Sequence, residues 1–469
     1  MSLIIVCMAL LGYLLIATGQ LTNVNKAAIA MFIGTAGWVI YICYGTDFVM
    51  GQHPREYAEY LAGAQPTSNA VKYFIYDRIF LKYVGEAAAV VLFLLATMTI
   101  IEILNNNGCF DFISEWIRTR NANRLLWTIT IATFIISANL DNLTTTTMML
   151  VVMHNIVQKR QQRMLIGCAI VLAANAGGCF TVIGDPEGVV LWGAGAVTAS
   201  HFSAYLFLPA LIAYVVPTFL ISRQLPTHLD VEWPAAPYRG DDTNLNRWQR
   251  LVMLIVGIGG LWFIPTFHNI TKLSPFLGAL CVLSVLWIVN ELFNRKLMNS
   301  DQMIQRRIPR VLQYGTIQQI LFVLGIMLSM GVLSETGIFY TLSQWFDANV
   351  HNIWILGVIA GLLSGIVDTF TIAMTQFTLY PVVDISAVGQ WVDTDYVMQF
   401  VQNGAYWKTM AYTTAIGGCL FCFSNVSGLA LMKMERMHVG WYFRNVTWKV
   451  LLGWLLGYLL LMAEVTLLK

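Results

Sequence analysis

The stretch SANLDNLTTTTMM, Ser137 to Met149, decides how this chain is read. It lies in the middle of an apolar run from Leu125 to Val157, and it carries Asn139, Asp141, Asn142 and four consecutive threonines. An ionisable side chain inside lipid is costly, so it faces the protein interior or a water-filled path, where it is a functional-site candidate. Arg118, Arg120 and Arg124 precede the run and Lys159, Arg160 and Arg163 follow it. Basic residues collect on the cytoplasmic side, so both ends of the run belong there. A helix needs about 20 residues to cross the hydrocarbon, and the roughly 33 residues between the clusters are too few to cross and return. The run is therefore expected to be a re-entrant hairpin. Its tip, SANLDN, sits near the midplane, with irregular backbone surrounded by protein or water. One long tilted helix is the competing reading; it would put the two basic clusters on opposite sides and leave Asp141 without a role.

Composition places that stretch in a polytopic membrane protein. The 469 residues are 57% hydrophobic and 11% charged, with a mean hydropathy of +0.65. Soluble domains carry about a quarter charged residues. A formal charge of +2, scattered through short loops, implies no nucleic-acid partner. The eight cysteines lie mostly in apolar segments, and the close pair Cys419 and Cys422 has no histidines nearby, so buried inert thiols are expected. The seven histidines are dispersed and receive no site role. The N-terminal run lacks a basic flank and reads as a retained span.

Apolar runs recur at about 2–18, 27–44, 84–104, 125–157, 164–200, 202–222, 250–266, 273–292, 317–334, 353–382, 404–432 and 447–466, giving twelve elements. Runs 164–200 and 404–432 exceed one span and are interrupted by Gly-rich polar stretches, which predicts broken helices. The run 353–382 is a second hairpin. Loop charge puts the segments around Arg118, Lys159, 223–249, Arg295 to Arg310 and Lys433 to Arg444 in the cytoplasm. The long segment Gly45 to Lys82 is then external despite Arg55, Lys72 and Arg78, and both termini are external.

An internal repeat spans the chain. LFLLATMTIIEILNNNGCFDFISEW, Leu92 to Trp116, aligns without gaps to LFVLGIMLSMGVLSETGIFYTLSQW, Leu321 to Trp345. SANLDNLTTTTM is echoed by SGIVDTFTIAMT, Ser364 to Thr375, which pairs Asp141 with Asp368. AGGCFTVIGDPEG, Ala176 to Gly188, is echoed by IGGCLFCFSNVSG, Ile416 to Gly428. The first hairpin is flanked by basic residues and the second by Asp347, Asp384, Asp393 and Asp395, so the halves are inverted. The expected architecture is all-α: a first repeat over 1–222, a cytoplasmic linker over 223–249 and a second repeat over 250–469. Inverted repeats with hairpins and broken helices belong to secondary transporters, with the substrate at the midplane.

Asp141, Asp185 and Asp368 supply hard anionic oxygens for a small metal cation such as sodium, and they are the expected ligands of the transported ion. Asn139, Asn142, Thr144, Thr145, Thr181, Ser364, Thr369, Ser424 and Asn425 add neutral polar groups. Structural roles remain open for all of them, because carboxylates also cap half-helices and Ser, Thr and Asn also join helices. Gly177, Gly178, Gly184, Gly417 and Gly418 are expected to let the helices unwind and free their backbone ends. Glu86 and Glu102 read equally as interfacial carboxylates or as a proton path, and Glu187 is ambiguous.

These same residues carry a resemblance. LFLLATMTIIEIL, SANLDNLTTTTMM and GGCFTVIGD resemble the NhaD-type sodium/proton antiporters of the wider ion transporter superfamily, which also holds dicarboxylate and arsenite carriers. The resemblance implies a scaffold part and a moving part, an ion site between hairpin tips and helix breaks, and a homodimer in the lipid. It is weaker in the second half. A family-like sequence has VDN followed by Pro at the second tip, where this chain has Asp368, Thr369, Phe370 and Thr371. After Asp185 the family pattern is threonine-rich, and here Pro186 and Glu187 stand.

The expected function is exchange of sodium or lithium for protons by alternating access in a bacterial inner membrane, with no bound cofactor. Carboxylates that hold either a proton or a cation couple two opposite fluxes, and burial brings such competition toward neutral pH. The alternative is a sodium-coupled dicarboxylate or other anion symporter, for which FSNVSG, Phe423 to Gly428, is suited; against it, three aspartates around one cavity repel an anion. An intramembrane aspartyl protease needs two membrane aspartates, but VIGD, Val182 to Asp185, lacks the first glycine of the GxGD pattern, so no enzyme is expected. A channel leaves the discontinuous repeats unexplained.

Overall fold

The computed structural model describes residues 2–19, 24–63, 65–110, 112, 117, 119–231, 245–294, 314–390 and 393–467. Trp116, Arg118, the centre of the 223–249 linker and Arg295 to Arg310 lie outside them. The described residues fold into helices and contain no strand, only isolated bridges, as an all-α membrane protein requires. Eight helices are long and apolar enough to cross a membrane. Their outer faces expose Phe32, Val39, Ile288 and Leu459, side chains suited to lipid.

Sixteen helices carry the architecture. The first half contains α1 (Ser2–Ala17), α2 (Lys26–Cys43), α3 (Leu81–Asn106), α4 (Ala122–Ser137), α5 (Asn142–Ile156), α6 (Arg160–Cys179), α7 (Pro186–Gly193) and α8 (Ala199–Ser222). The second contains α9 (Gly260–Thr271), α10 (Pro275–Asn294), α11 (Tyr314–Glu335), α12 (Ile353–Ile366), α13 (Thr369–Leu379), α14 (Ala405–Gly417), α15 (Val426–Met434) and α16 (Trp448–Leu467).

The run 125–157, read as a re-entrant hairpin, is two helices, α4 of 16 residues and α5 of 15, broken at Ala138 to Asp141 and packed on each other. At 1.5 Å per residue each is about 24 Å long or less, short of the hydrocarbon thickness. The backbone turns because Asp141, at ψ 138°, leaves the helical conformation and caps α5. Asp368 does the same for α13, so the run 353–382 is broken at the equivalent point. Helices α6 and α7 are separated at Phe180 to Asp185, and α14 and α15 at Gly418 to Asn425.

Two expectations about spans change. Helix α1 has 16 residues and is shorter than the eight spans. The span expected over 84–104 begins earlier: after short helices at Gly45–Gln52 and Pro54–Leu61, a helical run continues from Ser68 to Asn106. Apolar content begins near 84, but Ser68 to Phe80 carries the same helix outward, started by the Thr67 hydroxyl accepting from the backbone N–H of Ala70.

Each half lends helices to the other. Helix α2 lies along α11, where Gly34 and Gly325 let the backbones touch: a Cβ on Gly34 would come within 2.8 Å of the Gly325 carbonyl oxygen. Helix α3 lies along α10, and the Asn107 amide just beyond α3 donates to Asn290 Oδ1 at 2.8 Å. These helices, with α1 and α9, form one group. The hairpins, broken helices, α8 and α16 form the other, with α8 along α16, α4 on α6 and α12 on α14.

Polar clusters pin the ends. Glu435, just past α15, accepts from Arg163 Nε at 2.9 Å and pairs with His154 Nδ1 at 2.9 Å, while Arg160 donates to the Glu435 and Arg436 carbonyls. This ties the first hairpin's base to both broken helices. At the second hairpin's base, Asp347 accepts from Tyr380 and Tyr396, and His351 pairs with Asp393. The His351 contact holds the exposed Asp393 carboxyl below its ordinary range.

Candidate cation site

Four helix N-termini meet at one cavity. They belong to α5, α7, α13 and α15, and their N-cap residues are Asp141, Asp185, Asp368 and Asn425. The cavity has a volume of about 50 Å³. Its wall takes Asp141 and Asn142 from the first tip, Asp185 and Glu187 from the first break, Asp368 and Thr369 from the second tip, and Asn425 and Ser427 from the second break. Asn175 of α6 and Gln319 and Phe322 of α11 also line it. A cavity of this size has room for a few waters or one partly hydrated ion.

The two tips are built alike. Asp141 Oδ2 accepts from the backbone N–H of Thr144 at 3.1 Å and from its hydroxyl at 3.3 Å. Asp368 Oδ2 accepts from the N–H and the hydroxyl of Thr371, each at 3.2 Å. The motif Asp-x-x-Thr thus recurs as cap and lock, leaving one oxygen of each carboxylate for a further partner. For Asp141 that partner is the Gln319 amide, with Nε2 2.9 Å from Oδ1. For Asp368 it is the Lys26 ammonium, 3.3 Å from Oδ1.

The two breaks are not alike. Where the first presents Asp185 and Glu187, the repeat places Asn425 and Ser427 in the second. Asn425 is tied within its own break, accepting from the Gly428 N–H and donating to the Gly418 carbonyl oxygen. Asp185 makes no cap bond to its own helix and instead accepts from the side-chain amide of Asn142. Glu187, 5% exposed, accepts from the Thr414 hydroxyl at 3.2 Å. The charge of the site is therefore concentrated in the first half.

Of the residues singled out in sequence, Asp141, Asn142, Asp185, Asp368, Thr369 and Asn425 line the cavity. Asn139, Thr144, Thr145, Thr181, Ser364 and Ser424 do not. Asn139 accepts from Trp262 and donates to the Ile135 carbonyl oxygen. The Thr181 hydroxyl donates to the Ala138 carbonyl oxygen at 2.6 Å, tying the first break to the first tip. Ser364 donates to the Thr414 carbonyl oxygen and Ser424 to that of Gly418. Thr145 is fully buried inside α5. The hydroxyls of Thr181, Ser364 and Ser424 turn to nearby carbonyls, as short hydroxyl side chains in packed membrane helices do, which takes them out of the site.

The glycines lie at or beside the helix breaks, where they also make room for close packing. Gly177, Gly178 and Gly417 lie within the last turns of α6 and α14, and Gly418 caps α14 with right-handed helical backbone. A side chain on Gly178 would collide with Asn142, and one on Gly418 with Thr369. They allow each tip to seat against its broken helix. Gly184 lies in the break itself, against Thr181 and Gly178.

Lys26, Asn175 and Gln319 were not singled out. Asn175, a polar residue in an apolar segment near the end of α6, has the readable signal.

Comparison with known proteins agrees on the class of molecule. A family profile described as citrate transporter matches residues 2–417. The chain is similar to sodium/proton antiporter 2 of Arabidopsis thaliana, at 30% identity over 374 residues, covering 80% of this chain and 84% of the relative. It is 26% identical over 402 residues to the Na(+)/H(+) antiporter NhaD of Vibrio parahaemolyticus, covering 80% and 88%. Among solved structures, the Alcanivorax borkumensis YdaH transporter, reported with an unusual topology, matches with a TM-score of 0.51 at 12% identity, over 91% of this chain and 98% of that one. That likeness concerns the fold.

Proposed function

Since this chain belongs to the citrate transporter family, a family of membrane carriers, we propose that it exchanges sodium or lithium for protons by alternating access, in a cell membrane of the bacterial inner-membrane type. The observation that carries this reading is the convergence of four carboxylates, Asp141, Asp185, Glu187 and Asp368, on a cavity of about 50 Å³. Helix N-termini attract anions, each acting as about half a positive charge. At this cavity the chain supplies the anions itself. Asp141 and Asp368 cap their own helices, Asn425 caps a third, and Asp185 and Glu187 stand at the fourth. Taken as ionised, the four carboxylates exceed the four helix ends by about two charges. The surplus favours a small cation, and protons compete for the same oxygens. The names of the relatives as sodium/proton antiporters support the same reading.

Movement belongs to the hairpin group, whose tips touch the α2, α3, α10 and α11 group through few polar contacts, among them Gln319 to Asp141 and Lys26 to Asp368. The second reading, anion symport, is favoured by the family's description and by the four N-termini. It requires an organic anion to reach donors that Asp141, Asp368 and Asn425 already hold.

Purified protein in liposomes with an imposed proton gradient separates the two. Sodium or lithium alone should collapse the gradient, and the apparent ion affinity should weaken as pH falls, because protonated carboxylates cannot hold the ion. Salts that act only when citrate or a dicarboxylate is added would overturn the antiport reading.

A further inference from the structure

The two hairpin tips share one construction and differ in one partner. Asp141 is met by a neutral amide, and Asp368 by the ammonium of Lys26 at 3.3 Å, with the lysine side chain 16% exposed and the aspartate side chain 2%. Lys26 is the first residue of α2, and Asn25 before it accepts from the Ala27 N–H at 2.9 Å to start that helix. A cation in the first turn of a helix opposes the helix dipole, so local helix chemistry does not account for the lysine. Its carboxylate partner, 342 positions away, does. The second break offers Asn425 and Ser427 where the first offers Asp185 and Glu187, so the second half has a single carboxylate at the cavity and that one is paired.

We infer that Lys26 is a resident cation, tethered at the second tip in the place that a transported ion takes at the first, and that it limits the carrier to one transported cation per chain, held by Asp141, Asp185 and Glu187. This rests on the cation/proton reading above. Without Lys26 the carboxylate surplus of about two charges would call for two monovalent cations; with it, about one charge remains. Lys26 and Asp368 also stand on opposite helix groups, so the tethered charge reaches the site across the seam between them.

Binding stoichiometry tests the inference directly. Equilibrium binding of radioactive sodium to the purified full-length protein should saturate at one ion per chain in the wild type. Lys26→Gln frees Asp368, and saturation should rise toward two ions or the apparent affinity should tighten about tenfold. Lys26→Arg retains the charge and should hold saturation at one. A Lys26→Gln protein that binds one sodium with wild-type affinity overturns the inference while leaving antiport intact. If Lys26→Gln does not fold, Lys26→Arg decides alone: saturation at two would overturn the assignment. A wild type that binds no sodium and moves no protons in response to it removes the cation reading itself, and the inference with it.

Discussion

The side-chain amide of Asn142, the first residue of α5, donates to the carboxylate of Asp185 at the start of α7, so the first hairpin tip is fastened to the first helix break by a charged hydrogen bond. The same Asn142 accepts through its carbonyl oxygen from the Ser137 hydroxyl at 2.7 Å, which fixes which end of the amide faces the carboxylate. One side chain thereby sets the distance between two of the carboxylates at the cavity.

Asn142→Ala should therefore weaken the apparent sodium affinity by about tenfold, or about 1.4 kcal/mol, while the protein still reaches the membrane. Asp141→Asn and Asp185→Asn should each reduce cation-driven proton flux by at least about 100-fold, because each removes a charge for which ion and proton compete. Flux in proteoliposomes reports both effects. Wild-type flux in Asp185→Asn would remove the first break from the ion site.

Glu435 joins three segments through Arg163, His154 and the backbone contacts of Arg160, and its side chain is 1% exposed. Removing one partner of a buried ion pair strands the other, at a cost of about 3–5 kcal/mol. Glu435→Ala should lower the midpoint of thermal unfolding in detergent, and Glu435→Gln, which keeps the shape but not the charge, should be intermediate. An unchanged midpoint in Glu435→Ala would show that the cluster is dispensable.

His53, between the short helices Gly45–Gln52 and Pro54–Leu61, pairs through Nε2 with Glu335 at 2.7 Å, and Glu335 also accepts from Tyr41 and Tyr83. The hydrogen bond that His53 donates to Glu335 raises the His53 pKa above its ordinary value. A raised histidine pKa stabilises the fold below the unfolded value of about 6.5, and that contribution is lost as pH climbs through the folded value. The stability difference between wild type and His53→Gln should thus be largest in mild acid and shrink as pH rises. A difference independent of pH would show that the contact acts only through shape.

Local sequence carried much of this molecule, because each hairpin has a local cause. Asp141 and Asp368 cap helices three residues before a threonine, and such a cap interrupts an apolar run wherever it falls. The reading of 125–157 and 353–382 as hairpins rests on their charged flanks, their length and the internal repeat, and the caps are the local cause that the structure adds. The outward extension of α3 was hidden because Ser68 to Phe80 is mixed in polarity and its helix depends on a cap at Thr67. Lys26 and Gln319 were hidden for another reason: their partners lie 342 and 178 positions away, and nothing within a few residues of either marks it. Asn139, Thr181, Ser364 and Ser424 share the composition of ion ligands, but what separates a ligand from a brace is the carbonyl that happens to pass within reach. That is a property of packing.

The packing of α2 on α11 and of α3 on α10 has a bearing on how the protein is made. Helix α2 enters the membrane early in synthesis, yet the surface it fits, with Gly325 opposite Gly34, does not exist until the ribosome has passed residue 335. Asn107 likewise waits for Asn290, and Lys26 stands at the mouth of its helix with no carboxylate to meet it until Asp368 has been made. The first half is thus held in lipid as an unfinished assembly, with a small-residue seam open to any other nascent helix. Closure of that seam waits for the helix that ends at Glu335, which makes a product ended before it a target for quality control instead of a functional half-carrier.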